Sequence, residues 1–124
     1  MATIPAELRL GDVVRVRLES TEGSEQAGER PAGERPALVL SPDMINRHSP
    51  IILIAPITSK KTERVYPFEA LVEPGEGGLP MRSKALLMQT RSLDKSRLLD
   101  YYGRLSDETM QQVDQALKIA AGLR

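Results

Sequence analysis

The apolar residues of this chain fall in short runs separated by turn residues, and only the last segment has helical spacing. Residues 12–18, DVVRVRL, alternate apolar and polar side chains, which is typical of a half-buried strand. The same reasoning predicts further strands at residues 37–41, 51–55, 66–72, 83–89 and 101–105. Because no βαβ alternation occurs, the pattern predicts a mostly β fold with minor α content, a small antiparallel barrel.

Individual segments refine the prediction. Residues 51–55, IILIA, form a continuous apolar run, which predicts a strand buried on both faces. Residues 74–78, PGEGG, predict a turn. Residues 91–98, RSLDKSRL, are short and charged, and we expect a single helical turn there.

The C-terminal segment predicts a helix over residues 106–121 that completes a single domain of residues 1–124. Ser106 can act as the N-cap, and the two acidic residues after it suit the positive end of the helix dipole. Gly122 is a natural residue to follow the last turn. The apolar stripe expected to be buried is Met110, Val113, Leu117 and Ala120.

Composition excludes several classes of function. The chain has no cysteine and one histidine, His48, which excludes thiolate chemistry, multi-histidine metal centres and histidine-pair catalysis. Its 17 basic and 17 acidic residues cancel, which argues against avid nonspecific binding of nucleic acid. Only four aromatic residues are present, too few for a stacking platform of the RRM type. No secretory signal or membrane span is evident, so we expect a cytoplasmic protein.

Residues 19–36 predict a long loop, because they hold three glycines and two prolines without apolar periodicity. The motif AGERP occurs twice in tandem within it, at residues 27–31 and 32–36. Loops of this length in compact domains are often functional. Taken alone, Arg30 and Arg35 would be loop arginines paired with nearby glutamates, and Thr58 a hydroxyl bonded to the backbone.

Several motifs in order carry a family resemblance. They are GDVVRV at residues 11–16, GSEQ with RPALVLSP at 23–42, APITSK at 55–60, YPFE at 66–69, GGL at 77–79 and QTRSLDKSRL at 89–98. Together they resemble the MazF/PemK family of toxin endoribonucleases. The resemblance implies an SH3-like barrel, a homodimer, no cofactor, metal-independent cleavage of single-stranded mRNA, and inhibition by a MazE-like antitoxin.

The resemblance also assigns catalytic residues. Cleavage would proceed by attack of the 2′-hydroxyl, leaving a 2′,3′-cyclic phosphate and a 5′-hydroxyl. Arg35 would stabilise the phosphorane and serve as a candidate proton donor, since a guanidinium matches two phosphate oxygens and keeps its charge. Thr58 would hold a phosphate oxygen through its hydroxyl. Glu25, in the GSEQ segment, is the candidate general base.

Residues around these three are expected to bind RNA, namely Gln26, Arg30, Ser59 and Lys60. The duplicated AGERP gives two candidates for the catalytic arginine. We favour Arg35, because it directly precedes the strand and Pro36 biases it away from helical geometry.

Two other functions remain open. Many family members carry an aspartate just before the glutamine matched by Gln89, whereas this chain has Met88. Together with the enlarged loop, this departure leaves room for a catalytically inactive RNA-binding relative. The other alternative is a CcdB-like toxin that binds DNA gyrase and cleaves nothing.

Overall fold

A computed structural model describes residues 2–18 and 33–123, which form one antiparallel sheet of seven strands with two α-helices. The strands are β1 (Asp12–Arg17), β2 (Glu34–Val39), β3 (Ile51–Thr58), β4 (Glu69–Val72), β5 (Ser83–Leu86), β6 (Arg91–Asp94) and β7 (Leu98–Arg104). The helices are α1 (Asp43–His48) and α2 (Asp107–Ala121). The strand order is β4-β5-β3-β2-β1-β7, with β6 also paired to β3. The predicted fold, mostly β with a C-terminal helix, is confirmed.

Both faces of the central strands are buried, each in its own apolar cluster. One cluster includes Val13 and Leu38 of β1 and β2, and α2 covers it with Val113. The other includes Val14 and Val16 of β1, packed with residues from the N-terminal segment. Since successive side chains of a strand alternate between faces, a one-residue slip would exchange the two clusters. Burial on both sides therefore fixes the register.

Helix α2 forms where the sequence predicts it. The Ser106 hydroxyl accepts a hydrogen bond from the Thr109 amide at 3.2 Å, and Gly122 ends the helix with a φ of 72°. Val113 is fully buried, whereas Met110, Leu117 and Ala120 are partly buried against the same cluster. The capped ends and the apolar stripe were sufficient for this prediction because both signals are local.

The prediction that residues 51–55 are buried on both faces is wrong. Ile51 and Leu53 are 41% and 42% exposed. The helical turn predicted at residues 91–98 is also incorrect, because residues 91–94 form β6, which pairs with β3. Only Lys95–Arg97 form a turn of 3-10 helix. A strand that pairs with a partner distant in sequence leaves little local signal.

Other element boundaries differ from the predictions. The predicted loop over residues 19–36 ends earlier, because Glu34–Val39 are strand β2. Strand β4 begins at Glu69, whose amide donates to the carbonyl of Tyr66 at 2.8 Å in a turn. Strand β5 ends at Leu86, whereas β7 begins at Leu98. Helix α1 was not predicted, and its last residue, His48, is exposed.

The turn predicted at residues 74–78 is present and packs against β7. Gly78 has a φ of 76°, and a Cβ there would lie 2.0 Å from the carbonyl oxygen of Tyr102. Such a contact is far inside van der Waals range, so only glycine allows the turn to approach this closely. The turn thereby positions Leu79 beside Tyr102.

Candidate active site

Arg35 and Thr58 lie on the same face of the sheet. In the pairing of β2 with β3, Ala37 lies opposite Pro56. Two residues further along each strand come Arg35 and Thr58, and a step of two keeps a side chain on its face. On its other side, Arg35 lies opposite Val16 of β1. The sheet therefore directs both predicted catalytic side chains to one face, at the end where β3 stops.

The next strands extend this arrangement. Thr58 lies opposite Lys84 of β5, and Lys84 lies opposite Leu71 of β4. We call these four residues, Arg35, Thr58, Lys84 and Leu71, the site row. Directly opposed side chains on neighbouring strands have Cβ atoms about 4.5–5.5 Å apart. Lys84 is thus an immediate neighbour of Thr58, although the sequence reasoning did not single it out.

The Thr58 hydroxyl accepts a hydrogen bond from the Lys60 amide at 3.1 Å. This local bond starts the turn that leaves β3, as expected for a strand-end threonine. A hydroxyl that accepts one bond still has its own proton to donate. Thr58 is only half-buried, so its proton can reach an anion that approaches this end of the sheet.

Lys84 is a buried charge with a defined set of partners. Its side chain is 6% exposed, and its Nζ lies 2.9 Å from Glu69 Oε1 and 2.9 Å from the Arg64 carbonyl oxygen. Glu69, 10% exposed, also accepts a hydrogen bond from the Tyr66 amide at 3.0 Å. The Lys84–Glu69 pair therefore holds the connection of residues 59–68 in place beside the site row. A buried lysine is rarely stable without such a partner.

Residues 59–68, SKKTERVYPF, connect β3 to β4 and are basic. Lys60, Lys61 and Arg64 are exposed. Lys61 has a φ of 56°, a positive value that no other non-glycine residue shows in the described part of the chain. A left-handed non-glycine residue costs roughly 1–2 kcal/mol, and such strain often occurs at functional loops.

The opposite face of the same strands has a different character. Ser59, adjacent to Thr58, lines a cavity of about 180 Å³ together with Pro36, Ser83 and Tyr102. Arg15 lies opposite Pro36 in the pairing of β1 with β2. The side chains of Thr58 and Ser59 therefore lie on opposite sides of β3. A single phosphate would contact only one of the two.

The charges on that second face compensate one another. Arg15 forms salt bridges with Glu34 and Asp100. A hydrogen bond with Asp100 raises the pKa of Arg15, with smaller contributions from the charges of Asp100 and Glu34. Arg17 also lies 3.3 Å from Glu34. The arginines of this face are thus neutralised by carboxylates, whereas exposed basic residues lie on the connection of residues 59–68.

Three predicted residues, Glu25, Gln26 and Arg30, lie outside the described residues. Met88, which replaces the aspartate of many relatives, is 63% exposed. Among residues 2–18 and 33–123, no group of three or more His, Cys, Asp or Glu side chains could hold a metal ion. No helix in those same ranges is long and apolar enough to cross a membrane.

Comparison with known proteins identifies the class to which this fold and site belong. A sequence model described as "PemK-like, MazF-like toxin of type II toxin-antitoxin system" matches residues 9–121. The chain therefore belongs to the PemK/MazF family of toxins. This confirms the resemblance read from the motifs, and with it the prediction that the protein is an endoribonuclease toxin.

Individual relatives support the same assignment. An endoribonuclease MazF of Staphylococcus saprophyticus is 35% identical over 116 residues, covering 94% of this chain and 92% of that protein. The crystal structure of MazF from Deinococcus radiodurans has a TM-score of 0.71 and 28% identity, covering 96% of this chain and all of that one. A chain of the Deinococcus radiodurans MazE–MazF complex has a TM-score of 0.69 and 26% identity, covering 97% and 100%.

Proposed function

We propose that this toxin cleaves single-stranded mRNA at specific sequences without a metal ion or cofactor. The observation that carries the proposal is the common face of Arg35 and Thr58 at the end of β3. A scissile phosphate placed there would meet a guanidinium on one strand and a hydroxyl on the next. The exposed lysines that follow Thr58 add positive charge for the flanking phosphates.

In the proposed reaction, the 2′-hydroxyl oxygen attacks phosphorus and the bond to the 5′-oxygen breaks. Arg35 donates hydrogen bonds to two nonbridging oxygens, where negative charge grows as the phosphorane forms. Thr58 donates its proton to one of the same oxygens. The 5′-oxygen leaves with a proton from water or the guanidinium, so the products are a 2′,3′-cyclic phosphate and a 5′-hydroxyl.

We assign the general base to Glu25, which the resemblance places in the GSEQ segment. Glu69 also borders the site row, but its carboxylate already accepts from Lys84 and from the Tyr66 amide. A carboxylate that removed a proton from RNA would have to give up those bonds. Gln26, Arg30 and Lys60 are proposed to bind RNA near the scissile phosphate, and Ser59 to bind a different part of the RNA from the second face of β3.

The proposal is tested with purified protein and a long mRNA in the presence of EDTA. We expect discrete fragments at the same rate with and without the chelator, because the roles proposed above need no metal ion. The new 5′ ends should accept phosphate from polynucleotide kinase without prior phosphatase treatment. Cleavage that stops in EDTA would contradict the mechanism.

The same experiment separates the two alternatives. Intact RNA together with inhibition of DNA gyrase supercoiling would support a CcdB-like toxin. Intact RNA that nonetheless binds the protein would support an inactive relative, in which Met88 and the enlarged loop have removed activity. The common face of Arg35 and Thr58 favours the nuclease over both.

A MazE-like antitoxin is the proposed protein partner. The Deinococcus radiodurans MazE–MazF complex, which this chain resembles at 26% identity, pairs a relative with its antitoxin. A surface suited to RNA phosphates also suits an acidic peptide, since both present negative charge to the same cations. We propose that such a segment inhibits the toxin by covering the site row, and that the toxin acts in the cytoplasm.

We further propose that the protein is a homodimer and that its interface covers the exposed apolar surface of α1 and β3. Met44 and Ile45 of α1 are 69% and 40% exposed, and Ile51 and Leu53 of β3, the strand that α1 contacts, are 41% and 42% exposed. Adjacent large apolar side chains on a soluble protein commonly mark an interaction surface. A second copy would remove these side chains from water in both subunits at once, as expected for a symmetric interface.

Replacing Leu53 by glutamate tests this surface. We expect the variant to be monomeric at concentrations where the unchanged protein is dimeric, because the interface would bury two unpaired carboxylates. Analytical ultracentrifugation measures the change. Ile119→Glu is the matched control, since Ile119 is 52% exposed and lies on α2, which packs mainly against β4. Dissociation by the control alone would place the interface on α2.

A further inference from the structure

Two of the four aromatic side chains stack on each other beside the site row. The rings of Tyr66 and Phe68 are parallel, with centroids 5.4 Å apart. Tyr66 is 42% exposed, whereas Phe68 is half-buried. An aromatic ring that is supported by a second ring and still open to solvent can stack a further planar group.

The Tyr66 ring is held by the loop that carries it. Its hydroxyl accepts a hydrogen bond from Arg64 Nη1 at 3.2 Å, and its amide donates to Glu69 at 3.0 Å. The Arg64 guanidinium carbon and Lys84 Nζ both lie over the ring, 5.7 Å and 5.9 Å from its centroid, so a base would stack alongside these cations. A ring fixed in this way loses little conformational entropy when a ligand binds.

The Tyr66 ring and Thr58 have a common neighbour, Lys84. Lys84 lies opposite Thr58 across the β3–β5 pairing and also approaches the Tyr66 ring. The hydroxyl proposed to hold the phosphate and the exposed ring are therefore both neighbours of one lysine. Lys60 and Lys61, both exposed, lie on the segment between them. A short stretch of single-stranded RNA could thus contact Thr58 with a phosphate and Tyr66 with a base.

We propose that the Tyr66–Phe68 pair is a stacking subsite for an RNA base next to the scissile phosphate. The inference rests on the proposed function, because it uses Thr58 as the anchor of that phosphate. A nucleobase is the favoured ligand because it offers a flat π-face to the ring while its phosphates meet the lysines. An acidic peptide would use the same cations but gain little from a flat ring.

The first test compares Tyr66→Leu with Tyr66→Phe, using a defined single-stranded RNA. We expect Y66L to raise KM about tenfold with a smaller change in kcat, because a stacked base contributes mainly to binding. Y66F keeps the ring and should restore most of the lost affinity. Val65→Ala, an exposed change on the same loop, is the matched control and should leave KM unchanged. Melting temperatures of all variants exclude misfolding as the cause.

The second test follows stacking directly by fluorescence. Short single-stranded RNAs carry 2-aminopurine at each position in turn, with a 2′-deoxy nucleotide at the mapped cut so that they stay intact. We expect one position adjacent to the cut to be quenched on binding, and the quenching to be lost in Y66L and retained in Y66F. Equal KM and equal quenching in Y66L would overturn the subsite while leaving the nuclease in place.

The subsite and the nuclease can fail separately. If the protein binds RNA without cutting it, the titration uses unmodified RNA, and quenching that depends on Tyr66 would support the subsite but reject the nuclease. If the protein neither cuts RNA nor quenches the probe, both proposals fall. Binding of an acidic peptide that depends on Tyr66, without RNA binding, would also overturn the subsite.

Discussion

Replacing Arg35 by alanine is expected to slow RNA cleavage about a hundred- to a thousandfold, the usual cost of removing one donor to a developing oxyanion. The reason is that two guanidinium donors would contact the phosphate oxygens most strongly when the phosphorane forms. Single-turnover rates at saturating protein measure this effect, because they report the chemical step rather than binding. The variant should fold normally, which circular dichroism and the melting temperature will check.

Two further variants give the prediction its specificity. Arg35→Lys keeps the positive charge but loses the two-pronged geometry, so its rate should lie between those of the alanine variant and the unchanged protein. Arg30→Ala, in the first copy of AGERP, should cut at a near-normal rate at saturating protein. Equal losses from Arg30→Ala and Arg35→Ala would show that the assignment between the two AGERP copies is wrong.

The local structure explains why Arg35 is the better candidate of the two. It lies within β2, opposite Val16, which is fully buried. Pro36 follows it and restricts its backbone to extended geometry, which matches the strand. The pairing of Arg35 with β1 gives its side chain a fixed origin and direction, as a catalytic group requires. The sequence predicts Arg35 at the end of the loop, directly before the strand, whereas it lies inside β2.

Several parts of the fold were predictable because their signals are local. The alternation of residues 12–18 indicated β1, and Ser106 with Gly122 marked the ends of α2. The ordered motifs also predict Arg35 and Thr58 as catalytic residues, which the Arg35→Ala variant tests. Each of these inferences uses residues close together in sequence, where spacing alone determines the face or the cap.

The features that could not be predicted depend on pairings distant in sequence. Strand β6 resembled a charged turn, because its partner β3 lies well before it in the chain. Lys84 falls in a predicted strand, but its neighbours in sequence do not indicate that residues 59–68 fold over it. Four aromatic residues seemed too few for a stacking platform, but Tyr66 and Phe68 lie two residues apart and their rings stack on each other. Composition gives the number of residues of each type but does not show which of them are in contact in the folded protein.

Lys84→Met is expected to lower the free energy of unfolding by about 3–5 kcal/mol, the usual cost of breaking a buried ion pair. Without the ammonium, the Glu69 carboxylate would remain 10% exposed with one charged partner fewer. The carbonyl of Arg64 would lose its donor as well. Urea denaturation measures the change, at one fixed protein concentration, because dimerisation would make stability depend on concentration.

The double variant Lys84→Met/Glu69→Gln shows whether the loss of stability comes from the broken ion pair or from the change in side-chain packing. The amide that replaces the Glu69 carboxylate would be neutral yet keep a carbonyl oxygen to accept from the Tyr66 amide, so most of the stability should return. A single Lys84→Met variant within about 1 kcal/mol of the unchanged protein would show that the pair contributes little. A double variant as unstable as the single one would assign the loss to packing instead.

The same two variants test whether Lys84 contributes to RNA cleavage as well as to stability. Its partners hold residues 59–68, so the recovered double variant would have a stable sheet but neither the ammonium nor its neutralising carboxylate beside Thr58 and Tyr66. If Lys84 only supports the fold, cleavage should recover along with stability. If its ammonium also contacts the substrate, KM should stay raised at every salt concentration, because the double variant and the unchanged protein have the same net charge. We expect the first result, because the Lys84 side chain is 6% exposed and its Nζ already donates to Glu69 and to the Arg64 carbonyl.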